Sequence, residues 1–268
     1  MFFTIGTLAF FYLVLVALVA VFQRRLMYFP RCFASKLGEI LAAQEGFKGW
    51  RNGGGELVGW KLSAAGNTIG SVLILHGNAG CALDRGYLAS PIHEAAPLDV
   101  YLLEYPGYGS RAGSPSLDSI VNSAEEAFGL LPKDKPIYLV SESIGTGPAA
   151  YLAQKHGAQV AGMALLAPYD DLAAVGQRQM PYLPVSLLLR DRFRPSVWLQ
   201  EYRGPVFILV AGSDEIIPPE FALRLHDRYA GPKRLEVVPG AGHNDVPTQS
   251  SLWWQAVLKF WQHPESNG

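Results

Sequence analysis

The chain has 268 residues, 49% of them hydrophobic and 17% charged, with 22 basic and 23 acidic side chains. A net charge of -1 supplies no field for holding a nucleic-acid backbone, which sets that class of partner aside. So much apolar material with so little net charge excludes disorder, and two cysteines make neither a disulfide framework nor a four-thiolate zinc site.

The first element explains the apolar excess. Residues 2–22 carry no charge, and only Thr4, Gly6 and Thr7 interrupt the hydrocarbon and aromatic side chains. A helix of about 20 residues spans a bilayer core of roughly 30 Å. No Lys or Arg precedes the run, and Leu15/Ala17 and Leu18/Ala20 fit a cleavage site poorly, so a retained transmembrane anchor over residues 1–24 is expected. A buried core helix of this length would need a polar face. Arg24, Arg25, Arg31 and Lys36 follow, with Tyr28 and Phe29 among them. Basic flanks stay cytoplasmic and aromatic rings settle at headgroup level, which predicts a single-pass protein whose domain, residues 25–268, faces the cytoplasm. Cys32, at the membrane edge, reads as a plain thiol before it reads as an acylation site.

Behind the anchor, Gly53-Gly54-Gly55 predicts a hairpin turn between strands over 47–51 and 57–62. Further apolar strands are expected over 71–75, 100–104, 137–140, 160–166, 206–210 and 234–238. Helical patterns fall over 116–131, 145–156, 219–229 and 249–261. Near-continuous apolar strands separated by helices predict an α/β fold, a mostly parallel central sheet with helices on both faces. Sites in such sheets form beyond the carboxyl ends of the strands. One interval breaks the alternation: Pro181 and Pro184, then Leu187, Leu188 and Leu189, then Arg190, Asp191, Arg192 and Arg194 predict a small lid insertion over about 169–203.

Three groups are candidates for one site. Ser143, in Ser141-Glu142-Ser143-Ile144-Gly145, sits where a strand turns sharply into a helix and lifts a hydroxyl above the sheet. Small residues are needed two before and two after it; Gly145 meets that demand, and Ser141 stands where glycine is usual. Ser141 as nucleophile fits less well, because Leu139 and Ser143 would flank it. Either serine also reads as an ordinary helix N-cap. A serine hydroxyl needs an imidazole to take its proton. Of six histidines, His243 lies in a turn just past the last strand, at the edge expected for Ser143. The imidazole needs an acceptor on its far nitrogen. Asp214 follows the strand before, with Glu215 and the pair Asp170-Asp171 as competitors. The oxyanion donors expected are the backbone N–H of Ile144 and, in His76-Gly77-Asn78-Ala79-Gly80, that of Asn78 or else Ala79. His76 is expected to shape that loop from a buried position, and no His/Asp/Glu spacing suggests a metal site.

Together His76–Gly80, Glu104-Tyr105-Pro106-Gly107-Tyr108-Gly109, Ser141–Gly145, Gly212–Asp214 and Gly240–Asp245 resemble the α/β-hydrolase superfamily. Tyr182-Leu183-Pro184-Val185, Leu188-Leu189-Arg190-Asp191-Arg192-Phe193 and the apolar amino terminus are similar to its membrane-anchored Bem46-like branch. The similarity covers about residues 25–262. It implies a serine hydrolase of esters or thioesters without a cofactor, acting through Ser143, Asp214 and His243. Lipid-like or acylated substrates are expected from the anchor, with Met180, Tyr182 and Leu187–Leu189 lining an apolar acyl pocket. Tyr105 and Tyr108 stand either in the walls of the site or in plain packing, packing being favoured. The rival readings are amide cleavage of the aminopeptidase type and an idle hydrolase fold used as a tethered binding module.

Overall fold

Eight short apolar runs form one sheet in the computed structural model, which describes residues 2–246 and 248–264. Met1 of the expected anchor, and residues 247 and 265–268 of the expected domain, lie outside the described residues. The strands are β1 (Lys48–Arg51), β2 (Leu57–Leu62), β3 (Gly70–Leu75), β4 (Leu98–Leu103), β5 (Ile137–Glu142), β6 (Val160–Leu166), β7 (Val206–Ala211) and β8 (Lys233–Val238). Their order across the sheet is β8-β7-β6-β5-β3-β4-β2-β1. The hairpin strand β1 pairs antiparallel with β2, and β2 with β4; every other pairing is parallel. Alternate residues of one strand feed opposite cores: Leu73 and Leu75 face one, Val72 and Ile74 the other. That is why the inner strands read as unbroken apolar runs.

The helices are α1 (Phe2–Met27), α2 (Ser35–Gln44), α3 (Gly86–Ala95), α4 (Leu117–Leu130), α5 (Thr146–His156), α6 (Leu172–Gln179), α7 (Val185–Leu188), α8 (Pro195–Trp198), α9 (Pro219–Arg228) and α10 (Ser251–Gln262). Ile120 of α4, Leu152 of α5 and Leu225 of α9 fill one core, and Leu88 of α3 and Trp254 of α10 the other. Ser116 caps α4 by accepting from the Ser119 N–H at 3.1 Å. Helices α2 and α3 are absent from the sequence-based expectation, and Pro91 inside α3 explains why the helical signal fails there. The chain crosses from β4 back past β3 to β5, so the sheet's switch point lies at the carboxyl ends of β3 and β5.

The insertion between β6 and β7 holds α6, α7 and α8, with Pro181 and Pro184 between the first two. Helix α1 is longer than its uncharged run and carries Arg24 and Arg25 in its last turn. Its segment Ile5–Met27 is long and apolar enough to cross a bilayer. Two of the four basic residues behind the run are committed to ion pairs within the protein, Arg24 to Asp191 at 2.9 Å and Arg31 to Asp84 at 2.6 Å. Just past α1, Phe29 and Pro30 form a two-residue parallel ladder with Ala79 and Gly80.

Candidate active site

Strand β5 runs out at Glu142, and the chain must enter α5 within a few residues. Ser143 takes a φ of +52°, left-handed backbone that disfavours an L residue by roughly 1–2 kcal/mol. Non-glycine residues keep such a conformation only where their surroundings impose it. Here the cause is crowding: a Cβ at Gly145 would run into the carbonyl oxygens of Leu75 and His76, so strand and helix backbones pass at near contact. Ser141 is fully buried and its Oγ has no partner among the described residues. That seals it in the interior and removes it as an alternative nucleophile.

The other two groups meet directly. His243 Nδ1 lies 2.6 Å from Asp214 Oδ2, while Asp214 Oδ1 accepts from the N–H groups of Ile216 at 2.9 Å and Ile217 at 2.8 Å. A carboxylate on Nδ1 fixes the tautomer with the proton there and leaves Nε2 as the basic nitrogen. The two turns that carry them are laced together: Gly212 N donates to Val238 O at 3.0 Å and Ser213 N to Ala241 O at 2.8 Å. Ser143, Asp214 and His243 follow β5, β7 and β8, parallel strands of one sheet, and so share its carboxyl edge. Among the described residues neither Ser143 Oγ nor His243 Nε2 makes a hydrogen bond, so the serine shares the edge with the pair without being joined to it. Ligand-free hydrolytic sites are often loose in this way and tighten on substrate.

Two of the three competing carboxylates are otherwise occupied, and Glu215 is exposed. Asp170 takes a two-pronged contact from Arg224 at 2.9 and 3.0 Å, with Arg228 at 3.3 Å. Asp171 caps α6 through the N–H groups of Ala173 and Ala174. Ile144 opens the helical turn after Ser143, where first-turn amides lack intrahelical acceptors. The Asn78 amide donates to nothing among the described residues. Its loop is pinned by its other atoms: Asn78 Nδ2 donates to Met27 O at 2.9 Å, and Asn78 O accepts from Phe29 N at 2.9 Å and Tyr108 Oη at 2.7 Å.

The expected wall residues separate. Met180, Leu188 and Leu189 line a cavity between α1 and the lid. Leu187 and Tyr182 do not; they are 77% and 88% exposed. One turn of a short helix cannot turn three successive leucines to the same side. Tyr105 is buried, donates to His76 O at 3.1 Å and packs against the His76 and Tyr108 rings, away from that cavity.

Sequence reasoning passed over a buried ionic network behind the Asn78 loop. Arg85 donates to Glu142 at 3.1 Å and to Ala79 O at 2.9 Å, and Tyr87 Oη donates to Glu142 at 2.6 Å. It ties the loop of Asn78 to the turn of Ser143. Glu104 is fully buried and accepts from Ala82 N at 2.9 Å and Trp60 Nε1 at 3.3 Å. Burial pushes its carboxyl up to about 7, against the pull of those two donors. His76 lies 3.8 Å from it, held far below the ordinary imidazole range by burial and then by the Arg85 charge. The available signal was a carboxylate at the end of an apolar strand, which cannot be buried without partners. No cluster of three or more His, Cys, Asp or Glu suited to a metal ion occurs among the described residues.

Comparison with known proteins bears on the fold. Residues 70–197 match the family model of the alpha/beta hydrolase fold. An uncharacterised protein of Mycobacterium tuberculosis is 34% identical over 230 residues, covering 83% of this chain and 81% of that one. Human alpha/beta hydrolase domain-containing protein 17B is 28% identical over 186 residues, covering 66% of this chain and 61% of that one. Among solved structures, a monoacylglycerol lipase from Paleococcus ferrophilus superposes with a TM-score of 0.57 at 19% identity, over 76% of this chain and 98% of its own. At that identity the likeness speaks for the fold.

Proposed function

This chain belongs to the α/β-hydrolase superfamily, and from that premise we propose that it is a membrane-anchored serine hydrolase of carboxylic esters or thioesters. Ser143 attacks the acyl carbonyl while His243 Nε2 takes its proton, and Asp214 holds the ring and stabilises the cation. The amides of Ile144 and Asn78 receive the oxyanion, each worth roughly 2.7–4 kcal/mol. His243 then returns the proton to the departing alcohol or thiol, leaving the acyl group on Ser143. A water deprotonated by His243 attacks that ester, and the carboxylic acid leaves as Ser143 regains its proton. The observation that carries this proposal is the 2.6 Å carboxylate–imidazole pair on the sheet edge where Ser143 is held in strained backbone.

The strain itself favours chemistry over a tethering role. Left-handed non-glycine residues cluster at functional sites, and among the described residues Ser143 is one of two, the other being Ala167 just past β6. The test is turnover of p-nitrophenyl acyl esters beside aminoacyl anilides, with wild type and Ser143→Ala. The proposal expects ester cleavage that the substitution lowers about 10⁴-fold or more. Anilide cleavage exceeding ester cleavage would point to amide chemistry instead, and turnover unaffected by Ser143→Ala would sink the mechanism.

We place α1 across the bilayer, with the domain on the side of Arg25 and Lys36, the cytoplasmic one. The chain carries its own probe for this. Cys32 is exposed just past α1, whereas Cys81 is buried with its thiol pushed up to about 11 by burial. A membrane-impermeant maleimide is expected to label Cys32 in inverted vesicles and not in right-side-out ones. The reverse pattern would turn the protein over.

A further inference from the structure

Helix α1 and the lid enclose a cavity of about 240 Å³. Its walls include Val19, Ala20 and Met27 from α1 and Val175, Leu183 and Leu188 from the lid, and it reaches Asn78 at one end. Neither Ser143 nor His243 lines it; the connection to the site runs through Asn78 and through Ile216, which donates to Asp214. The few polar groups do not point to a polar ligand. Gln23 is spent on the seam, donating to Ala20 O at 2.7 Å and Leu188 O at 3.2 Å and accepting from Arg190 N at 2.7 Å. Gln179 donates to the carbonyls of Glu215 and Ile216. A wall this apolar suits an apolar guest.

The contact between α1 and the lid is specific. Arg24 grips Asp191 through two bonds of 2.9 Å, and Tyr28 Oη donates to the same carboxylate at 3.2 Å. Asp191 is buried. Further along the helix, Tyr12 Oη donates to Tyr182 O at 2.9 Å. Tyr12 and Met27 are about 22 Å apart along a helix rising 1.5 Å per residue. The lid therefore lies along most of a bilayer-length helix, and its apolar side chains Tyr182 and Leu187 are left 88% and 77% exposed beside it. With α1 across the bilayer as proposed above, a cavity between these two elements sits at acyl-chain depth.

We propose that this cavity is the acyl channel of the enzyme and that its occupant is a single fatty acyl chain arriving sideways from the bilayer. Helix α1 is then one wall of the substrate site as well as a tether. It also steadies the oxyanion loop, since Asn78 is bonded to Met27 O and Phe29 N at its end. A chain lying in the channel brings its carboxyl end to Asn78, which is where an acyl carbonyl is wanted. The inference rests on the Ser143 chemistry proposed above.

The experiment uses the full-length protein in phosphatidylcholine vesicles and has two arms. In the first, a diazirine-bearing palmitic acid is photo-crosslinked and its adducts mapped by mass spectrometry. Adducts are expected on the channel face of α1, at Val19, Ala20 or Met27, and on the facing lid residues. Ala20→Trp, which fills the channel, is expected to lower them about tenfold, and Leu18→Trp on the outward face to leave them unchanged. Adducts confined to outward residues such as Leu15 and Leu18, or indifferent to Ala20→Trp, overturn the channel. In the second arm, the ratio of kcat/KM for p-nitrophenyl dodecanoate to that for the acetate is expected to fall about tenfold in Ala20→Trp and to hold in Leu18→Trp. Equal loss on both esters overturns the channel and leaves only a structural effect. Val19→Phe obstructs the same wall should Ala20→Trp fail to fold. The arms separate the two proposals: crosslinking needs no turnover, so a protein without Ser143-dependent hydrolysis still decides the channel. An active enzyme with outward-only adducts keeps the serine chemistry and loses the channel.

Discussion

At the carboxyl edge of the sheet, Asp214 and His243 are 29 residues apart in sequence and are brought together by adjacent strands, β7 and β8. At the seam between α1 and the lid, the partners are 163 to 170 residues apart, and no sheet register dictates their meeting. The edge is positioned by backbone: parallel strands, laced turns and a left-handed residue. The seam is positioned by side chains, chiefly Arg24, Tyr28 and Gln23 closing on Asp191 and the lid backbone. The difference teaches that the two parts of one site can be disturbed separately. In the proposed reading, chemistry belongs to the edge, and access for the acyl chain belongs to a seam held by a few polar contacts.

The sharpest way to break the comparison is at the edge. Asp214→Asn keeps the shape of the side chain but loses the acceptor that fixes the His243 tautomer, so kcat is expected to fall about 10⁴-fold with the fold intact. Ester kinetics with circular dichroism read this out, and a loss of tenfold or less would mean that the pair does not serve catalysis.

A second, smaller effect separates the buried support of the edge from the edge itself. Glu104 has its carboxyl raised from 4.5 to about 7 by burial. A raised carboxyl means that the fold favours the protonated form, so this contribution is complete below about 4.5 and is lost as pH rises through about 7. Between pH 5 and 8 wild type is expected to lose roughly 2–3 kcal/mol of unfolding free energy relative to Glu104→Gln. His76, neutral in both proteins, cancels in that difference. Denaturant titrations at the two pH values measure it, and parallel pH profiles would contradict the assignment.

The seam should show the smallest change in stability. Asp191→Asn removes the charge that Arg24 and Tyr28 close on, and because the Arg24 side chain is 47% exposed the loss is expected at roughly 1–2 kcal/mol or below. Its signature is local: trypsin should cut sooner after Arg190 or Arg192 in the lid, while hydrolysis of a short acetate ester is retained. Uniformly faster proteolysis across the chain would mean that the contact supports the whole domain instead.

This division also explains what the sequence disclosed. Ser143, Asp214 and His243 each sit in a short motif at a strand end, where apolar run, turn residue and functional group are neighbours in the chain. Local spacing therefore carried the sheet, and the candidate edge residues were named from the same motifs. The face of α1 that meets the lid has no such mark, because Val16, Val19, Ala20 and Gln23 repeat at helical spacing inside a run that is apolar on every side. Leu187 illustrates the same limit: composition placed an apolar cluster in the lid, but only the turn of α7 decides that Leu188 faces the cavity and Leu187 the outside. Glu104 and Glu142 looked like ordinary strand-end polar residues, since their partners Trp60, Arg85 and Tyr87 come from distant loops and strands.

The most direct measurement is intact-protein and peptide mass spectrometry after treatment with an alkyl fluorophosphonate. The account predicts one stoichiometric adduct on the peptide that contains Ser143, and none in Ser143→Ala. An adduct on a different residue, or no adduct from a preparation that still hydrolyses esters, would contradict it.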